Sequence, residues 1–270
     1  DDIKSKDIDN KEKVLEFREK TRNRIRPVCN NIDSLQTEIT VALSTAMKDI
    51  PGIGWIRADT AGCQQPHDEK EKMVYMQIAE KIINDIDYGN WYAWTSSLTN
   101  ADGPSITTKR ECRLNDVIKY IKYRAIWPKA FPEINRAFAN FANVLEDLLK
   151  QFHKYSKTQY GDVNIYVTRK FHKEQDYNPN YKEDLKKFNK HLDIMSGLTF
   201  ELTKAVNYIC AQIRSNLDAS FKAVEGKRTI TNGVEDGFKF YDYLPEYTEE
   251  QIKNATLYPG LEQFLKDNDL

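Results

Sequence analysis

Apolar side chains recur along this chain in steps of three and four residues, and the longest such run organises the rest. Between Asn178 and Gly226 they fall at Leu185, Phe188, Leu192, Met195, Leu202, Val206, Ile209 and Ile213, with Thr199 in the one missing slot. A stripe of that period lies on one face of a helix and needs a facing helix to cover it. Asn178 and Pro179 suit the first turn, since an Asn side chain accepts from free end amides and Pro has no amide to leave unpaired. Gly226 suits the end. Unbroken, this helix spans roughly 70 Å at about 1.5 Å per residue, and Gly197 weakens one of its turns by about 1 kcal/mol relative to Ala.

The other segments repeat the pattern. Residues 11–50 read as helix, with a heptad at Ile25, Val28, Ile32, Leu35, Ile39, Ala42 and Ala46 and a kink or break at Pro27. A loop over 52–67 precedes a second helix over 68–87, carrying Tyr75, Ala79, Ile82 and Ile86 on one face. Thr108 and Glu111 have the spacing of a capping box and open a helix through Leu114, Val117, Ile118, Ile121 and Ala125. After Pro132 the period resumes at Ile134, Phe138, Phe141, Leu145, Leu148 and Phe152, so these two pieces are expected to stack into one long kinked helix. The stretch from Asn164 to Phe171 alternates like a strand, but a lone strand with no visible mate does not hold, so an irregular link is expected there.

These segments predict an all-α fold: an elongated antiparallel bundle of about four long, partly kinked helices over residues 1–227. Residues 228–270 are expected to form a mostly irregular C-terminal tail, with short helices near 248–254 and 259–267 packing on the bundle. The composition agrees, with charged residues at 30%, apolar residues at 40% and only 11 Gly and 9 Pro among 270 residues.

Charge narrows the partners. The net charge of −1 supplies no long-range field to draw a polyanion. Two local clusters remain. Arg18, Arg22 and Arg26 lie four apart on one helical face, and residues 109–129 hold seven basic side chains, among them Lys119, Lys122 and Arg124, interleaved with Tyr120, Tyr123 and Trp127. Basic groups between aromatic rings bind phosphates and stack bases. The simpler expectation is that they are solvated helix faces paired with the acidic stretch 235–250. Outside the heptads, the segment YGNWYAW concentrates Trp91, Tyr92 and Trp94, read as a loop that either caps its own bundle or anchors a partner.

The chemistry of known enzyme motifs is not visible. The residues three before His153, His172 and His191 are Lys150, Arg169 and Phe188, so the Glu-x-x-His ligand pair of di-metal bundles is missing. No His follows an Arg by five to seven residues, the spacing a helical nuclease needs, and no phosphate-cradling Gly loop or GxSxG turn occurs. Cys29, Cys63, Cys112 and Cys210 form no CxxC pair, although a Cys63–Cys112 bridge stays open. No metal, cofactor or catalytic residue is therefore expected. No apolar run reaches the length of a membrane span and the first twenty residues are too charged for a signal peptide, so the cytoplasm is favoured; because the chain starts at Asp1 without a Met, a removed leader or anchor stays open. The expectation is a non-enzymatic helical module for macromolecular recognition, sensing or scaffolding with a protein partner, contacted through Trp91, Tyr92 and Trp94. The alternative is a nucleic-acid-binding or nucleic-acid-processing effector acting through its basic faces. Self-association through the heptads is a third possibility.

Overall fold

The computed structural model describes residues 15, 66–174, 176–235 and 239–270, with the side chains of 66–68 and 232–241 left aside. The heptad expected over 25–46, the loop before His67, and Arg18, Arg22 and Arg26 lie outside the described residues. The chain divides into two compact units, residues 1–63 and 64–270, and all elements named below belong to the second.

Mostly helical structure is observed: seven α-helices among the described residues, accompanied by two small sheets. Helix α1 (Pro66–Asp85) is followed by a tight turn and α2 (Trp91–Leu98), strand β1 (Ser105–Thr107), α3 (Thr108–Lys119) and α4 (Pro132–Lys154). Strands β2 (Ser156–Gln159) and β3 (Asp162–Thr168) lead to the longest helix, α5 (Tyr181–Asn216). The C-terminal part holds β4 (Ile230–Glu235), β5 (Lys239–Tyr243), α6 (Glu249–Lys253) and α7 (Leu261–Asp267).

Helix α4 forms where its sequence says it should. Pro132 sits in the first turn, Glu133 and the pair His153/Lys154 complement the two ends of the helix dipole, and Ile134, Phe138, Phe141, Leu145, Leu148 and Phe152 are all fully buried. Burying each such side chain contributes about 1.5–3 kcal/mol, before the entropy of ordering is counted. Helix α5 supplies the facing wall with Met195, Leu198, Leu202, Val206, Ile209 and Ile213. The two run antiparallel: Tyr155, just past the end of α4, meets His191 near the start of α5, while Arg136 and Tyr208 line one cleft at the opposite ends.

Helix α5 is shorter than the 178–226 expectation at both ends. Asn178 caps nothing within it; its Oδ1 accepts from the Asn180 amide in a turn just upstream, and its Nδ2 donates to Asp184. At the other end the amides of Leu217 and Asp218 both bond Ile213 O, closing the helix before Gly226. Gly197 has a packing reason: a Cβ there would come within 3.1 Å of the Phe264 ring, so its absence lets α7 approach α5 closely.

The two middle pieces do not stack into one kinked helix. The last turn of α3 widens into a π-type turn, Tyr120–Arg124, and Ala125 leaves it extended. Trp127 Nε1 donates to the Ile121 carbonyl, and Tyr75 OH donates to the Pro128 carbonyl, pinning the link between Ala125 and Phe131. With Pro128 and Pro132 blocking helical continuation, α4 folds back along α3, as the Lys122–Glu146 ion pair and the hydrogen bond between His153 Nε2 and Glu111 show.

The strand-like segment finds mates that its own sequence could not announce. Strand β3 lies between β1 and β2, antiparallel to both, with Ile106 opposite Tyr166 and Lys157 opposite Val167. One mate is three residues long and the other, SKTQ, is wholly polar. The tail is more ordered than expected, with the β4–β5 hairpin ahead of α6 and α7. Two buried asparagines fasten it. Asn207 Nδ2 donates to the carbonyls of Arg228 and Pro245 while its Oδ1 accepts from Arg228 N. Asn140 Nδ2 donates to Tyr247 OH and its Oδ1 accepts from Tyr258 N.

Two predictions follow from these buried polar groups. Asn207→Ala strands two carbonyls and one amide, so denaturant unfolding of the full chain should show a loss of about 2–4 kcal/mol. His191 is 1% exposed, and burial, aided by Lys154, pushes its pKa down to about 4 from 6.5. Its neighbours are the Tyr155 ring and the Thr168 hydroxyl, 3.5 Å from Nε2. Between pH 6.5 and about 4 the unfolded imidazole binds the proton and the folded one does not, so stability falls with pH across that window, by at most about 3 kcal/mol. Glu174, held near 2 by Arg169, adds its own loss of stability as pH falls through about 4.5, and it does so equally in parent and variant. Melting temperatures at successive pH values should show a shallower fall for His191→Phe than for the parent.

Candidate functional site

Helix α1 gives way to a turn at Asp87, whose φ of 58° is one an Asp tolerates better than most residues. The reversal starts a short 3-10 turn at Tyr88–Asn90 and launches α2. The aromatic segment is thus helical, not a loop, and helical spacing sorts its rings. Trp91 and Trp94, three apart, turn inward and meet edge to face at 4.9 Å. Trp91 Nε1 donates to Thr203 Oγ1 on α5 at 3.1 Å, which ties α2 to the core. Tyr92 points the other way and is 54% exposed. Of the three residues expected to contact a partner, Tyr92 faces solvent, Trp91 is committed to the core, and Trp94 stands at the wall of a cavity.

That cavity, about 270 Å³ and open to solvent on one side, is lined by Ala93, Trp94 and Ser97 of α2, Ser105–Thr107 of β1, Arg110 of α3 and Ile165 of β3. Its walls are largely accounted for. Ser97 Oγ donates to the carbonyls of Trp94 and Ser105, and Thr107 Oγ1 accepts from Arg110 N as the N-cap of α3. The Arg110 guanidinium lies over the Trp94 ring at 5.6 Å and sends Nη2 to Asp87 Oδ2 at 2.6 Å. That bond, with a second from Asn90, holds the Asp87 carboxyl below its usual range. Two donors remain. Trp94 Nε1 and Arg110 Nη1 are both buried without a hydrogen-bond partner.

The second basic cluster is divided by the fold. Arg110 is held by Asp87, and Lys122 by Glu146 at 2.6 Å, a bond that lowers the Glu146 pKa. Lys119 and Arg124 are exposed with no ion pair among the described residues, beside Tyr123 at 80% exposure. The acidic stretch does not pair with this cluster among the described residues; its Glu246 binds Lys227 instead. Cys112 is free and exposed and Cys210 free and buried, its thiol pKa pushed up by burial. No group of three or more His, Cys, Asp or Glu side chains suited to a metal ion occurs among the described residues, and none of their helices is long and apolar enough to cross a membrane.

The fold and this corner define a mostly helical chain with one small cavity that carries unmatched donors. Compared with known proteins, the chain matches no family model, no curated protein and no solved structure. Sequence reasoning grouped Arg110 with the basic cluster and missed its pairing with Asp87, 23 residues earlier, because nothing local marks that approach. It also placed the cap of α3 one residue late. Thr107, not Thr108, accepts the end amide, and Glu111 turns to Asn115 and His153. Thr107→Ala should therefore lower stability by about 1 kcal/mol while Thr108→Ala changes it by a few tenths at most, as read from paired denaturation curves.

Proposed function

We propose that this chain is a non-enzymatic recognition module that engages a protein partner at the corner formed by α2, β1 and the start of α3. The observation that carries this reading is the pair of buried, unmatched donors, Trp94 Nε1 and Arg110 Nη1, at the wall of a small cavity next to exposed Tyr92. Buried donors without acceptors each cost about 1–3 kcal/mol, so a fold that keeps one on each of two residues lining the same cleft gains when a partner supplies an acceptor. Tyr92 adds rigid amphipathic area at the rim, the type of residue that dominates binding energy at protein contacts. The reading keeps the expectation of an antiparallel bundle of about four long helices, to which α4 and α5 contribute two.

A second reading, nucleic-acid binding, draws on Lys119 and Arg124, both unpaired among the described residues and next to exposed Tyr123. Lys122 is a weaker contributor, since Glu146 neutralises it. The two readings separate in one experiment. A photo-reactive amino acid placed at Tyr92 should give a discrete, protease-sensitive and nuclease-resistant adduct in cells, and the same group at Tyr177, 82% exposed, should not. Adducts at Tyr123 that vanish on nuclease treatment, with none at Tyr92, would reverse the choice.

A further inference from the structure

We infer that Ser156 is an activated hydroxyl, aimed at the His153 imidazole and through it at Glu111, that takes an acyl group from an acyl thioester. The inference goes beyond the recognition reading and does not rest on it. Its basis is a relay of three side chains where α3, α4 and β2 meet. His153 Nδ1 lies 3.2 Å from Ser156 Oγ, and His153 Nε2 lies 2.8 Å from Glu111 Oε1. A carboxylate only accepts, so the neutral ring carries its proton on Nε2 and turns the Nδ1 lone pair to the hydroxyl. A nucleophile within reach of a base that a third group orients is the arrangement that activates a serine for acyl transfer. The two ring nitrogens exchange the places they hold in a serine-hydrolase triad, which leaves the path of the proton unchanged.

Local structure holds the three groups in place. Helix α4 ends at Lys154, Tyr155 leaves it with φ −128° and ψ 13°, and Arg169 N donates to the Tyr155 carbonyl at 2.7 Å, which fixes the turn into Ser156. Glu111 comes from the first turn of α3, where Asn115 Nδ2 donates to its Oε1 at 3.3 Å. The Phe152 and Tyr166 rings meet the imidazole edge to face at 5.4 and 5.7 Å and limit its rotation. The His153 side chain is 39% exposed and that of Glu111 16%, so a reagent reaches the base while the carboxylate behind it is shielded. Thr168 also nears an imidazole, 3.5 Å from His191, but it is 4% exposed and gives its proton to the Pro104 carbonyl. Chemistry then selects the donor. The relay supplies a base but aims nothing at the charge that grows on a carbonyl oxygen, so the donor must bring its own good leaving group. A thiolate is a far weaker base than an alkoxide, which favours a thioester. Ser156 Oγ forms a bond to the thioester carbonyl carbon as its proton passes to His153 Nδ1. The C–S bond then breaks, its electron pair leaves with sulfur, and the imidazolium returns the proton to the thiolate. The products are an acyl ester at Ser156 and a free thiol, with no oxidant or reductant consumed.

The test incubates the full chain with S-acetyl-N-acetylcysteamine and locates the acetyl group by peptide mass mapping, with Ser220 as the internal reference. Ser220 is exposed and donates to Asp218 Oδ1 at 2.7 Å, so it has a hydrogen bond but no imidazole. Ser156 should be acetylated about 100-fold faster than Ser220, within the range general-base assistance supplies, as an ester that hydroxylamine removes. His153→Gln can still bond Glu111 but cannot take the proton, and it should bring the two serines within about threefold of each other. Because that variant also removes two ring contacts, Glu111→Gln provides the second: it keeps the shape of the side chain, should leave the melting temperature near the parent's, and should slow Ser156 about tenfold while Ser220 is unaffected. Equal labelling of the two serines in the parent, or fast labelling of Ser156 that survives both variants, overturns the relay. An acetyl group that resists hydroxylamine and maps to a lysine overturns the assignment to serine. Thiol release that runs past one equivalent overturns the stable ester and the non-enzymatic reading together, whereas the Tyr92 adduct judges the protein partner independently of all these outcomes.

Discussion

Helices α4 and α5 face each other across an apolar seam, to which α2 and the C-terminal tail are attached. Phe138, Phe141, Leu145, Leu148 and Phe152 share one buried cluster with Met195, Leu198, Leu202, Val206 and Ile209, all at 0% exposure. The three- and four-residue spacing of those side chains is the reason two helices are required, since neither stripe can be satisfied in water alone. Trp91 hangs α2 on this seam through Thr203, and Asn140 and Asn207 hang the C-terminal tail on it from the other flank. A weaker seam would loosen all three attachments together.

Polar groups drawn into this core are nearly all matched, which gives the exceptions their meaning. Asn140 and Asn207 use both halves of their amides, and Tyr258 OH reaches Asp147 at 3.0 Å. Glu201, 6% exposed, has Lys204 at 3.1 Å, and the Tyr247 hydroxyl pKa is pushed up first by burial and then by the nearby Glu201. Against that background the α2–β1–α3 corner leaves two donors unmatched at one cavity, and it does so where Tyr92 remains in solvent. Asn135 Oδ1 and Arg228 Nε are likewise buried without a partner, and His172 and His191 keep an unmatched Nδ1 each, although these two rings sit among aromatic side chains, where the neutral imidazole behaves as one more ring.

Much of the helical framework was legible because hydrophobic period is a local property. Phe138 to Phe152 and Met195 to Ile213 reported their buried faces directly, and the sites near 248–254 and 259–267 reported α6 and α7. What stayed hidden depended on distant residues. The β3 strand needed a polar mate and a three-residue mate, neither of which has a strand pattern of its own. Pro128 and Pro132 signalled an end or a kink between α3 and α4, but not the reversal found there, whose link is pinned by Tyr75, more than fifty positions away. For the site, the aromatic cluster drew notice to Trp94. Whether Trp91, Tyr92 or Trp94 would meet solvent turned on the helical phase of α2, and Arg110 entered through a partner in a different element.

On the reading proposed above, the α2–β1–α3 corner is a contact site for a partner and not a packing fault. A crystal structure of the full chain, at a resolution that places ordered solvent and small anions, addresses it most directly. The expected result is that Trp94 Nε1 and Arg110 Nη1 both lack an acceptor within the free chain, with the Asp87 pair intact. A closed cavity in which both donors have turned to acceptors of the chain itself would contradict it.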